Sequence, residues 1–458
     1  MIGCGGAGLS AALAYADAAA QRGRPSRVGV LERSAKDQRG GATRWTTARL
    51  RVDDEGALAP RVPDVVGSSH RDADRAYVET LRDEAPATIR FLEDRGVELV
   101  HYPLGLATSI TGGREAEPKG GGLSIVENLA SHLERTPGAE ILYRTEAVDL
   151  VLDEEGVVAG VTARGPDGRL RRLPARAVVL ACGGFEGSQQ LLTQYVGERA
   201  GDMPLIAPGV GHNRGDGLRM AVAIGADTAG QFDMFHGEPV DSRTTHPDAV
   251  VLGYPYGIVV NGRAERFFDE GAYTFEDGFE VLAYEIWRNQ GNRACFIGDQ
   301  TTAGLPNMEL MNATDLPPVT ADTIGELGGK LGLDPHGLEA TVAAYNVAAR
   351  PVDEFDPFTR DGCETHGLRP PKSNWAFRLE SPPYLGYPLT CAVTFTFGGL
   401  RTDTHGRVLT PGGTVIPALY AAGEVTGVFY HRYPVGTSVL RSLTFGRLAG
   451  SHAAAAGD

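Results

Sequence analysis

Cysteine is scarce in this chain, and its spacing matches no pairing pattern. The 458 residues contain five cysteines, Cys4, Cys182, Cys295, Cys363 and Cys391, without a C-x-x-C pair. An odd number of widely separated cysteines indicates neither a disulfide framework nor a zinc site, so no metal site is expected. Long apolar runs are missing as well. No stretch of about 18 apolar residues occurs, and no transmembrane helix is predicted.

Blocks of basic residues are also missing. Lys and Arg total 43 against 58 Asp and Glu, which gives a formal net charge of −15 at pH 7. This balance argues against nucleic acid or an anionic membrane as a partner. No secretory signal precedes the first motif, which with the cysteine pattern predicts a cytoplasmic protein. The 61 Gly and 28 Pro residues follow no period, which indicates a loop-rich enzyme of two or three domains.

A glycine motif opens the chain. Gly3, Gly5 and Gly8 fit G-x-G-x-x-G, and the small residues at 9–16 predict a helix directly after it. In such a turn the N–H groups at the helix start meet a pyrophosphate. The apolar segment 27–31 predicts a strand that ends at Glu32, where a carboxylate binds the hydroxyl groups of a ribose. The sequence therefore predicts a dinucleotide site.

The strand before this motif is short. Only Met1 and Ile2 precede Gly3, whereas a buried strand of about five residues is usual. We expect lower stability or weaker cofactor retention from this short strand.

The remaining pattern predicts an α/β protein whose cofactor domain is split by an insertion. Helices are predicted at 72–96, 123–135, 218–224, 278–290 and 320–350, and from 436 onward. Strands are predicted at 140–143, 147–152, 157–162, 168–173, 177–181, 256–261, 394–399 and 419–424, and a linker at 369–373. The predicted domains are 1–230 (first part of the cofactor domain), 231–370 (an inserted capping or substrate domain) and 371–458 (second part of the cofactor domain).

Several motifs together resemble a known family. They are Gly3-x-Gly5-x-x-Gly8, Gly40-Gly41, Ala181–Phe185, Gly215–Gly217, Ala422–Glu424 and Phe445–Gly450. This set is similar, over essentially the whole chain, to the flavoprotein family of fumarate reductase and succinate dehydrogenase. A second set resembles its tricarballylate dehydrogenase branch: Gly253–Gly262, Arg266–Glu270, Thr394–Gly399 and Tyr433–Thr437.

The resemblance implies FAD as cofactor. It implies a Rossmann-like FAD-binding domain of the glutathione-reductase type, split by an α+β capping domain over the isoalloxazine. The FAD is expected to be non-covalent, because the loop 41–47 lacks the histidine that attaches the flavin in succinate dehydrogenase. The predicted cofactor-binding residues are Gly3, Gly5, Gly6, Ala7, Gly8, Glu32, Arg33, Gly41, Ala42, Thr43, Thr46, Val148, Cys182, Gly183, Gly184, Gly215, Asp216, Gly423, Glu424, Thr437, Ser438 and Leu440.

Three departures from the family argue against fumarate as the substrate. No arginine follows Asp269-Glu270 within 271–277, where fumarate reductase has the arginine that delivers the proton. Thr394–Gly399 replaces a His-His-Thr-Met-Gly-Gly motif, and Arg432-Tyr433 replaces an Asn-Arg pair. The missing arginine favours dehydrogenation over reduction.

Flavin oxidation of a C–C bond requires a positive end near the flavin, a base, and a group that polarises a carboxylate or carbonyl. The helix start at 436–440 is the candidate for the positive end near the flavin, because of its helix dipole. His236 is the preferred base, with His431, Tyr254, Tyr256 and Tyr433 as rivals. The candidates for binding a carboxylate are Arg243, Arg432 and Arg441. Phe395, Phe397 and the tyrosines are expected either to line a pocket for an apolar substrate or to pack the domain interface.

The sequence thus predicts an FAD-dependent oxidoreductase that interconverts CH–CH and C=C next to a carboxylate or carbonyl, in the manner of tricarballylate dehydrogenase. The predicted catalytic residues are His236, Arg432, Arg243, Tyr256 and Tyr433. One alternative is a ketosteroid-type dehydrogenase acting on an apolar ketone. Others are a flavin electron-transfer subunit, with an iron–sulfur or membrane partner as electron acceptor, and a scaffold without cofactor. No second G-x-G-x-x-G motif for NAD(P)H occurs.

Overall fold

The computed structural model describes residues 1–58, 74–103, 114–273, 275–306, 308–351 and 359–456, and it has a mixed α/β fold. The helices are α1 Gly6–Gln21, α2 Arg75–Glu93, α3 Gly121–Glu134, α4 Gln189–Tyr195, α5 Asp216–Val222, α6 Phe275–Asn289, α7 Gln300–Ala303, α8 Met308–Met311, α9 Ile324–Lys330, α10 Pro335–Ala348 and α11 Ser438–Ala455. Short 3₁₀ turns include Gly41–Trp45, Tyr254–Tyr256 and Gly423–Val425.

The strands follow the same chain order. They are β1 Val28–Leu31, β2 Leu99–Pro103, β3 Arg114–Pro118, β4 Ala139–Leu142, β5 Glu146–Leu152, β6 Val158–Arg164, β7 Leu170–Pro174, β8 Val178–Leu180, β9 Thr228–Ala229, β10 Phe235–Asp241, β11 Ile258–Asn261, β12 Ala294–Gly298, β13 Val319–Ala321, β14 Tyr384–Thr396, β15 Gly399–Leu400, β16 Arg407–Leu409 and β17 Val415–Ala421.

The chain forms two compact units. The first contains residues 1–102, 113–236 and 395–458, and the second contains 103–112 and 237–394. The chain passes between the units within β10 and within β14.

A mostly parallel sheet organises the first unit. β1 pairs in parallel with β4, β8 pairs in parallel with β17, and β16 adds an antiparallel edge. Ile2 joins the two halves, because it forms parallel bridges to Leu31 and to Leu180. The two residues before the glycine motif therefore occupy the middle of the sheet, although the effect of this short strand on stability stays a prediction. An antiparallel meander, β5–β6–β7, lies outside this sheet in the pairing order.

α1 and α11 pack against each other at very short range. Gly446 and Gly450 of α11 lie against the carbonyl oxygens of Ala7 and Ala11, where a Cβ atom would overlap them. Residues of both helices belong to the core of this unit, including Leu9, Leu13 and Leu443. This close packing fixes the position of the α11 start relative to the α1 start.

The second unit is built on a five-stranded sheet in the order β10–β14–β12–β11, with β13 also paired to β14. β12 is antiparallel to both β11 and β14, and all five of its residues are buried. The helices α6 to α10 belong to this unit.

Two sequence-based predictions in this unit were wrong. The predicted helix at 320–350 is instead β13 followed by α9 and α10, because Gly332 takes a left-handed φ of 68° and Pro335 starts a new helix. The predicted linker at 369–373 is packed: Lys372 is fully buried and its Nζ donates to the Gly257 carbonyl at 2.5 Å. Proline content alone suggested the linker.

In the described part of the chain, no helix combines the length and the apolar character needed to cross a bilayer. All five cysteines are free thiols.

Candidate cofactor and active site

The start of α1 has no side-chain cap from its own N-cap residue. Its N-cap, Gly5, makes no side-chain capping bond, and the first turn contains no acidic residue. The Gly6 N–H donates to Thr43 Oγ1 at 3.2 Å. A Cβ atom on Gly8 would overlap the Gly3 carbonyl oxygen, so glycine is required for this close turn. A helix N-terminus with no side-chain cap on its N-cap residue and no acidic residue in its first turn can bind phosphate groups.

Glu32 follows β1 and is buried beside this turn. Its Oε2 accepts the Cys4 N–H at 3.2 Å. Its Oε1 accepts the Ser34 N–H at 2.8 Å and the Ser34 hydroxyl at 2.7 Å. These donors hold the carboxylate in one orientation, and its role as a ribose acceptor stays a prediction.

Arg33 connects two predicted cofactor segments. Its Nη2 contacts Asp216 at 2.6 Å and Glu146 at 2.9 Å, and its Nη1 donates to the His212 carbonyl at 2.9 Å. The ion pair ties the end of β1 to the start of α5, next to Gly215. Arg33 and Asp216 therefore bond to each other.

The loop after β1 forms the 3₁₀ turn that contains Gly41, Ala42 and Thr43, followed by Thr46. Arg39 holds this loop, because its guanidinium contacts Glu127 at 2.5 Å and Glu134 at 2.8 Å. The sequence analysis missed Arg39, which is 2% exposed. A buried arginine paired with two residues of α3 has no sequence signal beyond its place in a glycine-rich loop.

Val148 and Cys182, two further predicted cofactor residues, have contacts within the first unit, and their role at the cofactor stays a prediction. The Val148 carbonyl in β5 accepts a hydrogen bond from Arg219 Nη2 at 2.8 Å. Burial raises the pKa of Cys182 to about 11, so this residue is a neutral thiol near pH 7.

Glu424 lies where β8 and β14 end. Its Oε1 accepts the Thr396 N–H at 2.9 Å, and the Phe185 N–H donates to Thr396 Oγ1 at 3.3 Å. Asn213 also donates to Glu424, at 3.2 Å. Thr396, Asn213 and Glu186, to which Asn213 also donates, were missed, since their contacts join distant parts of the chain.

Tyr433 caps the start of α11. Its hydroxyl oxygen accepts the N–H groups of Thr437 at 3.1 Å and Ser438 at 3.0 Å. The hydroxyl donates to Ser438 Oγ at 3.0 Å. Arg51, missed from sequence, donates from Nε to the Val435 carbonyl at 2.9 Å and so holds the loop before the helix. Leu440, predicted to contact cofactor, is fully buried in the core.

Phe395, Phe397, Phe429 and Tyr433 form an aromatic cluster in the first unit, and His236 packs against two of its rings. The His236 ring centroid lies 4.6 Å from that of Tyr433 and 4.9 Å from that of Phe395. His236 is 3% exposed. The structure thus brings together two of the five predicted catalytic residues.

The other predicted catalytic residues do not join this cluster. Arg432 and its neighbour His431 are exposed. In the second unit, Arg243 forms a two-bond ion pair with the buried Asp241, at 2.6 and 2.9 Å. Tyr256 and Tyr254 are buried in the same unit.

Arg441, a further carboxylate-binding candidate, is buried in the first unit. Its Nη1 donates to the Gly423 carbonyl at 3.1 Å and to Thr426 Oγ1 at 3.0 Å. The guanidinium also lies over the Phe429 ring, 4.8 Å from its centroid. Backbone and ring contacts therefore already occupy much of this side chain.

These observations fit the cofactor that the motifs imply. The open N-terminus of α1 suits the two phosphates of FAD, and Glu32 supplies a fixed acceptor for its ribose. The start of α11 places a positive dipole end near the aromatic cluster, as a negatively charged reduced flavin requires, although Tyr433 already accepts the N–H groups of Thr437 and Ser438.

Comparison with known proteins agrees with this fit. A family model described as an FAD binding domain, FAD_binding_2, matches residues 1–439. The 3-oxosteroid 1-dehydrogenase of Mycobacterium tuberculosis is 29% identical over 435 residues, which cover 83% of this chain and 73% of that protein. The fumarate reductase (cytochrome) of Shewanella frigidimarina is 27% identical over 465 residues, which cover 99% of this chain and 76% of that protein.

A solved structure gives the same result. The 3-ketosteroid-Δ4-(5α)-dehydrogenase of Rhodococcus jostii RHA1, in complex with 4-androstene-3,17-dione, matches with a TM-score of 0.72 at 25% identity, over 99% of this chain and 95% of that chain. Because the family model covers nearly the whole sequence, this chain belongs to the FAD_binding_2 family and is an FAD-dependent oxidoreductase.

Proposed function

We propose that this chain dehydrogenates a CH–CH bond next to the carbonyl of an apolar ketone. The observation that carries the proposal is the aromatic cluster, in which the Phe395 ring and the Tyr433 phenol pack against His236. Two of the three arginines considered as carboxylate binders are engaged elsewhere, Arg243 with Asp241 and Arg441 with backbone carbonyls. Apolar rings with a single phenol suit a ketone better than a tricarboxylate.

Tyr433 is the proposed carbonyl-polarising residue. Its oxygen accepts two N–H groups of the α11 start, which strengthens its O–H as a donor because hydrogen bonds in a chain polarise one another. A substrate carbonyl would accept the hydrogen bond that the Tyr433 hydroxyl now donates to Ser438 Oγ. His236, beside this phenol, is the proposed group that accepts the proton from the carbon next to the carbonyl. FAD, when bound, supplies the acceptor for the hydride.

We further propose the finer architecture implied by the family resemblance. The first unit is a Rossmann-like FAD-binding domain of the glutathione-reductase type, and the second is an inserted α+β capping domain. The division into two units, with the second one inserted in sequence, supports this proposal. The predicted boundaries 1–230, 231–370 and 371–458 and the predicted cofactor-binding residues remain proposals of the same kind.

A carboxylate substrate is the second candidate. Arg432 is exposed next to Tyr433, and among the described residues it forms no ion pair, so it is available to a carboxylate. The similarity to the fumarate reductase of Shewanella frigidimarina and to the tricarballylate dehydrogenase branch supports this alternative. The electron acceptor, proposed as a separate small molecule or partner protein, is shared by both candidates.

Variants of the aromatic cluster test the proposal. With 4-androstene-3,17-dione or its saturated relative as the probe ketone, His236→Ala and Tyr433→Phe are each expected to lower kcat about 10²-fold or more. His336→Ala and Tyr15→Phe are the matched controls, since His336 is exposed and Tyr15 lies in α1 away from the cluster. Unchanged kcat in both cluster variants, with FAD still bound, would remove these residues from the mechanism.

A further inference from the structure

Two carboxyl groups of the first unit bond to the same amide. Asn213 Nδ2 donates to Glu186 Oε1 at 2.6 Å and to Glu424 Oε2 at 3.2 Å. Glu186 is 1% exposed, whereas Glu424 keeps part of its surface accessible. Glu424 is therefore the more accessible of the two carboxyl groups.

Among the described residues, neither Glu186 nor Glu424 forms a salt bridge, and the cation whose charge acts on Glu424 is Arg441. Arg441 directs its Nη1 to the Gly423 and Thr426 oxygens. Two buried carboxylates side by side are costly, and one retained proton removes the repulsion.

The hydrogen bonds show where that proton belongs. Glu424 accepts from Thr396 and Asn213, as a carboxylate does. Glu186 Oε2 is buried and receives no hydrogen bond from a donor among the described residues, and the carboxyl group that interacts with Glu186 is Glu424, so this oxygen can carry a proton toward Glu424. Burial and the neighbouring Glu424 raise the pKa of Glu186 well above its usual range, and burial also raises the pKa of Glu424.

We propose that Glu186 and Glu424 share one proton, and that Glu186 is a positioning residue that holds the Glu424 carboxylate for the hydroxyl groups of FAD. Close packing supports this role, because a Cβ atom on Gly184 would overlap both Glu424 Oε1 and Thr396 Oγ1. The inference rests on FAD binding by this chain and extends it to a residue outside the predicted site.

The shared proton determines how the stability of the folded chain and its affinity for FAD change with pH. The folded pair binds a proton that the unfolded chain releases at lower pH, so its contribution to stability is lost as pH rises through the pKa of the pair. Loss of the proton leaves two adjacent charges and displaces Glu424. FAD affinity is therefore expected to fall with rising pH, by up to about tenfold per pH unit above that pKa.

Glu186→Gln tests the proposal, since its amide donates to Glu424 at every pH. The dissociation constant of FAD is measured by flavin fluorescence quenching from neutral to alkaline pH, after removal of the bound cofactor. Wild type is expected to lose affinity as pH rises, whereas Glu186→Gln is expected to keep the neutral-pH affinity throughout. The control Glu326→Gln, at a helix surface beside Lys330, is expected to follow wild type.

Infrared spectroscopy of the protein without FAD gives a second, independent measurement. Wild type is expected to show the carbonyl stretch of a protonated carboxylic acid, which disappears at alkaline pH and is absent in Glu186→Gln. Identical pH profiles for wild type and Glu186→Gln, or no such band in wild type, would overturn the proposal. If Glu186→Gln fails to fold, the wild-type protein alone tests the shared proton, because its protonated-acid band must be present at neutral pH and disappear at alkaline pH. A chain that binds no FAD but shows the band would contradict the proposed function and leave the shared proton supported.

Discussion

Glu32 and Tyr433 illustrate how single side chains prepare this site. Before any ligand binds, the Glu32 carboxylate accepts three hydrogen bonds and the Tyr433 hydroxyl accepts two. Fixed acceptors and donors lose little conformational entropy on binding, which is the usual basis of preorganised recognition.

Residue-level prediction from sequence succeeded where spacing carries the signal. The glycines of the first motif and Glu32 lie at local, recurring intervals, and the structure places them around the α1 start. Asn213 was missed because its contacts reach 27 positions back to Glu186 and 211 positions on to Glu424. Pairings of this kind are created by the fold, and local sequence does not reveal them.

Lys372 is the residue with the clearest expected effect on stability. It is fully buried, and burial, with the nearby Arg266 charge, lowers its pKa to about 7, against about 10.4 in an unfolded chain. Between these two values the unfolded chain binds a proton that the folded chain does not. The free energy of unfolding should therefore rise with pH in this window, by about 1.4 kcal/mol per pH unit from this group.

Lys372→Met removes that dependence. We expect the variant to be more stable than wild type at neutral pH, because methionine fills the space without a charge, and we expect the difference to shrink toward alkaline pH. Urea unfolding at a series of pH values measures both curves. A difference that stays constant across the window would show that Lys372 does not titrate there.

At the scale of secondary structure, the contact between α1 and α11 relates the two helix starts that form the site. Gly450 packs against the Ala11 carbonyl oxygen without space for a side chain. Small residues at both helices made each helix predictable from sequence. Their mutual packing was not predictable, because it joins the two ends of the chain.

Gly450→Ala is expected to destabilise the protein by about 1–3 kcal/mol, since the added methyl group forces the helices apart. Helix propensity alone would make Gly450→Ala more stable than wild type, because it favours alanine over glycine by about 1 kcal/mol. Gly329→Ala in α9 is the matched control, because the atom nearest to its Cβ is 4.0 Å away. Chemical denaturation compares the two, and a stabilised Gly450→Ala would contradict the described packing.

The elements that sequence mispredicted lie in the second unit. A helix at 320–350 was expected from apolar periodicity, but Gly332 and Pro335 end one helix and start another. The segment 369–373 was expected to be a linker, yet it buries Lys372. Local composition describes a backbone preference, and tertiary packing decided both cases.

At the scale of the whole molecule, the chain forms two compact units. Its match to the FAD binding domain model over residues 1–439 identifies it as an FAD-dependent oxidoreductase. Its fold class and cofactor were predictable because the motifs are spread over the full chain. The substrate class was not predictable from the sequence, because His236 and the aromatic cluster at 395, 397, 429 and 433 come from distant segments. The proposed ketone chemistry therefore rests on the assembled cluster.

The most direct test is anaerobic reduction of the bound flavin. The purified protein with its FAD is mixed, without oxygen, with a saturated 3-ketosteroid, with tricarballylate or with succinate, and the visible flavin band is followed. We expect bleaching by the ketone and formation of the unsaturated product, with no bleaching by the carboxylates. Bleaching by a carboxylate alone would contradict the ketone proposal, and a protein that binds no flavin would contradict the assignment as an FAD-dependent oxidoreductase.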